Sequence, residues 1–110
     1  MTGTQKRAKH RERQQVTALE KALNEWLDAD EQLLRGDARV MSTKEWQDRG
    51  EDYGKGSKLV MVIDGSPLYE ALNYGFPDWS YHTELNELCK EHGFWFEPMY
   101  GWALAFYPLD

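Results

Sequence analysis

The residue best placed for chemistry is Asp64. It closes the apolar run 59–63, and Ser66-Pro67 just beyond it has the form of a helix start. A carboxylate at the C-terminal end of a buried strand, close to a helix N-terminus, stands where α/β proteins bind anions and place catalytic acids. Other chemistry-bearing residues are sparse, with three histidines and one cysteine in 110 residues. His82 and His92 lie ten apart in one expected helix, about three turns and roughly 80° from alignment, so they cannot share a metal ion. Cys89 falls on the apolar face of that helix and reads as a small core residue. No Ser–His–Asp or Cys–His–Asn set can be assembled. No catalytic residue, cofactor or metal ligand is therefore expected.

The string Val62-Ile63-Asp64-Gly65-Ser66 resembles the aspartate motif of haloacid-dehalogenase-type phosphatases. Ser66 stands where that family carries its second aspartate, so the nucleophile and acid pair is incomplete and the activity does not carry over. Gly54-Lys55-Gly56-Ser57 has the residue types of a phosphate loop. Its glycines precede the strand instead of following it, and the GxxxxGK[ST] spacing is absent. A connector is expected there.

Charge separates the chain into two parts. Residues 1–15 hold Lys6, Arg7, Lys9, Arg11 and Arg13 against Glu12 alone, a net of +4. The other 95 residues carry 8 basic and 18 acidic side chains, a net of −10 within a total of −6. The basic arm, with His10 interleaved, resembles the arginine-rich helices with which phage antiterminators grip RNA hairpins. That resemblance implies phosphate contacts from Lys6, Arg7, Lys9, Arg11 and Arg13 and salt-dependent binding of nucleic acid. The same five residues would equally suit an acidic partner surface. A body at −10 opposes a polyanion.

Aromatic residues form the other signal. Twelve of the fifteen fall between Tyr69 and Tyr107, more than a small sheet needs for its two faces. Tyr74, Phe76, Trp79, Tyr81, Tyr100 and Trp102 lie in expected loops and turns or beside them. They are the candidates for a protein interface, since Tyr and Trp on rigid loops are typical binding hot spots.

The elements that must position these residues follow from periodicity. Val16, Leu19, Leu23, Trp26, Leu27, Leu33 and Leu34 recur at helical spacing. They predict a long amphipathic helix from about residue 5 to 35, with Thr4 as a cap, Arg35 in the last turn and Gly36 as the stop. This stripe either packs on the sheet or forms a homodimer seam through Val16, Leu19, Leu23 and Trp26, with Asp30 in a core slot. Fewer than three clean heptads favour the sheet. Ser42-Thr43-Lys44-Glu45 fits a capping box opening a short helix. Residues 59–63 form the best strand, a short helix ends at Gly75, and a second runs from about 79 to 92. Residues 94–97 and 102–107 predict a C-terminal β-hairpin around Pro98-Met99-Tyr100-Gly101.

The expected fold is α+β, a small three-stranded sheet, mixed or antiparallel, packed with helices. Residues 1–15 form a basic arm and residues 16–110 a single domain. The N-terminus has no apolar run behind its charges, and no apolar run exceeds five residues, against about 20 for a membrane span. A cytoplasmic protein with no membrane partner is expected. The expected function is non-enzymatic. It is a protein-interaction module, of the small regulator or inhibitor type carried by phages and mobile elements, presenting an acidic, aromatic-rich surface to a partner with a basic groove. The alternatives are nucleic-acid binding through the arm and a small ligand-binding or hydrolase domain centred on Asp64.

Overall fold

The computed structural model describes residues 3–29 and 34–109, without the side chains of residues 3–6 and 8. Thr4 as a cap, the Lys6 side chain, Asp30 and Leu33 therefore lie outside the described residues. The leucine stripe forms α1 (Gly3–Asp28), 26 residues and about 39 Å at 1.5 Å per residue, in a molecule 50 Å along its longest axis. The helix runs unbroken across residue 15. Leu19, Leu23 and Leu27 are fully buried in the chain's own core, and Val16 and Trp26 pack against its margin. The seam of Val16, Leu19, Leu23 and Trp26 is thus corrected. Its two central leucines already have intramolecular partners.

The helix stops well before Gly36, and tertiary structure explains why. Arg35 returns to the helix end from outside it. Its Nε donates to Asp28 Oδ1 (2.6 Å), its Nη2 to Asn24 O (3.3 Å) and Asn24 Oδ1 (2.8 Å), and its Nη1 to Ala38 O (3.1 Å). A guanidinium thus supplies the positive charge and donors that a helix C-terminus needs. Gly36, at φ +46°, lies so close to Gly65 that an added Cβ would sit 2.4 Å from its carbonyl oxygen. The two turns are also tied by Asp37 N donating to Gly65 O (3.1 Å) and Ser66 Oγ to Leu34 O (2.6 Å).

After this turn the chain forms β1 (Arg39–Ser42) and α2 (Thr43–Asp48), where the expected capping box is present. Trp46 is fully buried, and its indole N–H donates to Tyr53 O (2.9 Å). The glycine-rich connector folds on itself, with Ser57 Oγ donating to Gly54 O and Thr43 Oγ1 to Ser57 O. Then come β2 (Leu59–Val62), α3 (Leu68–Tyr74), α4 (Ser80–Glu91), β3 (Phe94–Tyr100) and β4 (Ala103–Pro108).

The fold is α+β, and the sheet has four strands, not three, in the order β1-β2-β4-β3 and antiparallel throughout. β2 and β3 run in the same direction, with β4 between them. The hairpin turns at Gly101-Trp102, later than expected, and Pro98 sits inside β3. β3 is an edge strand, where a residue without an N–H is tolerated. One sheet face carries the main core, from Leu59, Met61, Leu104 and Phe106 to α1, α3 and α4. The other carries Met41, Trp46, Val60, Val62 and Ala103, with Tyr100 and Trp102 packed alongside. Trp102 thus lies opposite Leu104 and Phe106 and does not share their face, because it belongs to the turn and not to the strand.

Candidate functional site

The corner between α3 and α4 is built to expose aromatic rings. Gly75 ends α3 at φ +64°, a left-handed conformation that favours glycine, with its N–H donating to Ala71 O (3.1 Å). The chain then passes through a cis Phe76–Pro77 bond to Asp78. The Asp78 carboxylate accepts from Ser80 N (2.8 Å) and opens α4. The Ser80 hydroxyl, and then its backbone N–H, hold this carboxyl below the usual carboxylate range. Trp79 folds back over Gly75, where an added Cβ would lie 2.4 Å from the indole Cε2. Its ring meets His82 edge-on at 6.3 Å, and His82 meets Phe96 at 5.5 Å. Tyr74 makes a T-shaped contact with Tyr69 at 6.5 Å.

These supports fix the loop and leave its rings in solvent. Tyr74, Phe76 and Trp79 are 70, 67 and 54% exposed. Tyr81 is 7% exposed and lies in the core beneath them. Its place among the interface residues is corrected, because the spacing from Tyr81 to Leu85 and Cys89 puts it on the buried face of α4. Tyr100 and Trp102 do not join the exposed rings, although Asn73 of α3 donates through Nδ2 to Gly101 O between them (2.7 Å). They stack at 5.0 Å and 3° against the opposite sheet face. The six expected aromatics therefore form one exposed trio, one buried ring and one half-buried pair.

The electrostatics of the corner are one-sided. No Lys or Arg occurs between Lys58 and Lys90, while Asp64, Glu70, Asp78, Glu84 and Glu87 do. All five carboxylates are exposed. Glu84 Oε1 accepts from the Trp26 indole (3.1 Å), which joins α1 to α4. At the foot of the loop, Leu34, Glu70, Ala71, Phe76, Pro77 and Tyr81 line a pocket of about 180 Å³. That is below the range of small-molecule sites and suits a single side chain.

The basic arm is part of α1, with Arg7, Lys9, Arg11 and Arg13 exposed. Glu12, its one acid, is held by Lys58 Nζ at 2.6 Å. Asp64 is exposed in the turn after β2. It is Ser66 Oγ that accepts from Leu68 N (3.0 Å) at the start of α3. Cys89 is buried, and desolvation pushes its thiol pKa up to about 12. Among the described residues, no three His, Cys, Asp or Glu stand close enough to share a metal ion, and no helix is long and apolar enough to cross a membrane.

Several surface residues carried no sequence signal. Tyr53 is exposed and meets Tyr100 edge-on at 5.6 Å, and Trp95 stacks on Tyr107 at 4.8 Å. Arg39 and Arg49 approach one cleft only because β1 and α2 fold against the sheet. Comparison with protein-family models, curated proteins and solved structures returns no match.

Proposed function

We propose that the protein is a non-enzymatic interaction module whose α3–α4 corner docks on a basic surface of another protein. The observation that carries this reading is the exposure of Tyr74, Phe76 and Trp79, side by side on a braced loop, within a segment that holds only acidic charge. Large rings held before binding lose little entropy on docking, and a surrounding field of one sign selects a partner of the other. The small pocket beside Phe76, with Glu70 at its rim, suits the stem and head of a partner lysine or arginine. A regulator or inhibitor that occupies a basic groove is the corresponding biological role.

The test pairs affinity capture from the native cell with variants of the corner. The reading expects a basic partner whose affinity falls with salt. It also expects Phe76→Ala to cost about 2 kcal/mol, roughly a 30-fold loss, with the circular dichroism unchanged. A partner held equally by wild type and by the Phe76→Ala, Tyr74→Ala double variant would sink it.

A second reading rests on the arm. With Glu12 engaged by Lys58, the exposed cations Arg7, Lys9, Arg11 and Arg13 face solvent without a local acid, as a nucleic-acid contact requires. Replacing these four by glutamine would abolish RNA or DNA binding under this reading. Binding that persists, or none in the wild type, removes it.

A further inference from the structure

Helix α2 is six residues long and cannot cover the second face of a four-stranded sheet. The uncovered part becomes a cleft of about 640 Å³, lined by Asp37, Arg39, Arg49, Val62, Asp64 and Trp102, with Arg35 at its end. That volume lies within the range of small-molecule sites, about 300–1,000 Å³.

The lining is chemically specific. Arg35 is engaged with Asp28, Asn24 and Ala38. Arg39 and Arg49 are exposed and form no ion pair among the described residues, although the chain holds 19 acidic residues against 13 basic ones. Arg49 is steadied over the Trp46 ring at 5.2 Å. Trp102, half-buried, lines the cleft and is fixed by stacking on Tyr100 and by packing at 5.7 Å against Trp46. Asp37 and Asp64 are exposed at the same cleft. Two available guanidiniums suit a phosphate, since arginine forks match its oxygens. A flat indole suits a base, and carboxylates at the rim suit ribose hydroxyls or an exocyclic amine.

We propose that this cleft binds a nucleoside monophosphate, with the phosphate on Arg39 and Arg49, the base against Trp102 and the sugar hydroxyls on Asp64. The cleft takes in none of Tyr74, Phe76 and Trp79, so either assignment can fail without the other.

The test is titration of the full chain with AMP, GMP, CMP and UMP, followed by amide chemical shifts and calorimetry. The parent nucleosides and inorganic phosphate serve as separate arms. The proposal expects at least one nucleotide to bind saturably below about 1 mM, at least tenfold tighter than its nucleoside or phosphate alone. Shifts should centre on Arg39, Arg49, Asp64 and Trp102. Arg39→Gln and Arg49→Gln should each weaken binding by about tenfold or more, and Trp79→Ala should leave it unchanged. No saturation by about 5 mM for any of the four would overturn the proposal. So would equal binding of inorganic phosphate, or affinities unaltered in both arginine variants.

Discussion

Replacing Gly75 by alanine tests whether the aromatic corner is braced as described. Two costs are expected. The left-handed backbone at φ +64° is unfavourable for a residue with a Cβ by roughly 1 kcal/mol. The new Cβ would also lie 2.4 Å from Trp79 Cε2, so the indole must leave its seat. Trp79 is 54% exposed, and somewhat less than half of a large aromatic surface amounts to about 100 Å². At about 25 cal/mol per Å², and with a compact unfolded chain allowed for, its burial contributes about 2 kcal/mol. Gly75→Ala alone should therefore cost about 3 kcal/mol, and Trp79→Ala alone about 2. In the double variant the clash has no second partner. Gly75→Ala should then add only about 1 kcal/mol, a coupling of about 2 between the sites. Urea titrations of the four proteins, followed by far-ultraviolet circular dichroism, give the cycle. Coupling below about 0.5 kcal/mol would refute the packing of Trp79 over Gly75, and with it the claim that the rings are held before docking.

Three further outcomes follow from the packing and the charges. Leu23→Ala should lower stability by about 2–5 kcal/mol without making the sedimentation coefficient depend on concentration; a shift in self-association would restore the seam. The Asp28 carboxyl lies below its ordinary range, chiefly through its hydrogen bond from Arg35. A depressed folded-state pKa contributes stability above the unfolded value and loses it as pH falls through the folded one. Wild type should therefore lose urea resistance on acidification below the ordinary carboxylate range more steeply than Asp28→Asn, and parallel profiles would contradict the clasp. Cys89, with its thiol raised to about 12, should resist iodoacetamide at pH 8 in the native protein and react readily in urea. Equal rates would place it outside the core.

The elements read correctly from sequence are those whose pattern repeats within themselves. The leucine stripe of α1, the apolar run of β2, the Ser42–Glu45 capping box and the stop at Gly75 all act locally. β1 has no such signature. It is four residues with one buried side chain, Met41, and it becomes a strand only by pairing with β2. The end of α1 was hidden for a related reason, because a guanidinium seven residues beyond Asp28 terminates the helix. At the site, the loop itself was legible from Gly75 and Pro77. Which rings stay outside depended on helix phase for Tyr81 and on the hairpin turn for Trp102. Arg39 and Arg49 line one cleft, a juxtaposition that no spacing encodes.

The absence of lysine and arginine between Lys58 and Lys90 also governs how the molecule can be handled. Every lysine belongs to α1, to α2, to the connector leading into β2, or to the far end of α4. Amine-directed labels and resins will therefore attach away from the Tyr74–Trp79 loop and leave it facing solution. Trypsin has no cleavage site between Lys58 and Lys90, so β2, α3 and nearly all of α4 leave a digest as a single peptide. A carboxylate-directed reagent will instead find Glu70 and Asp78 in the corner itself.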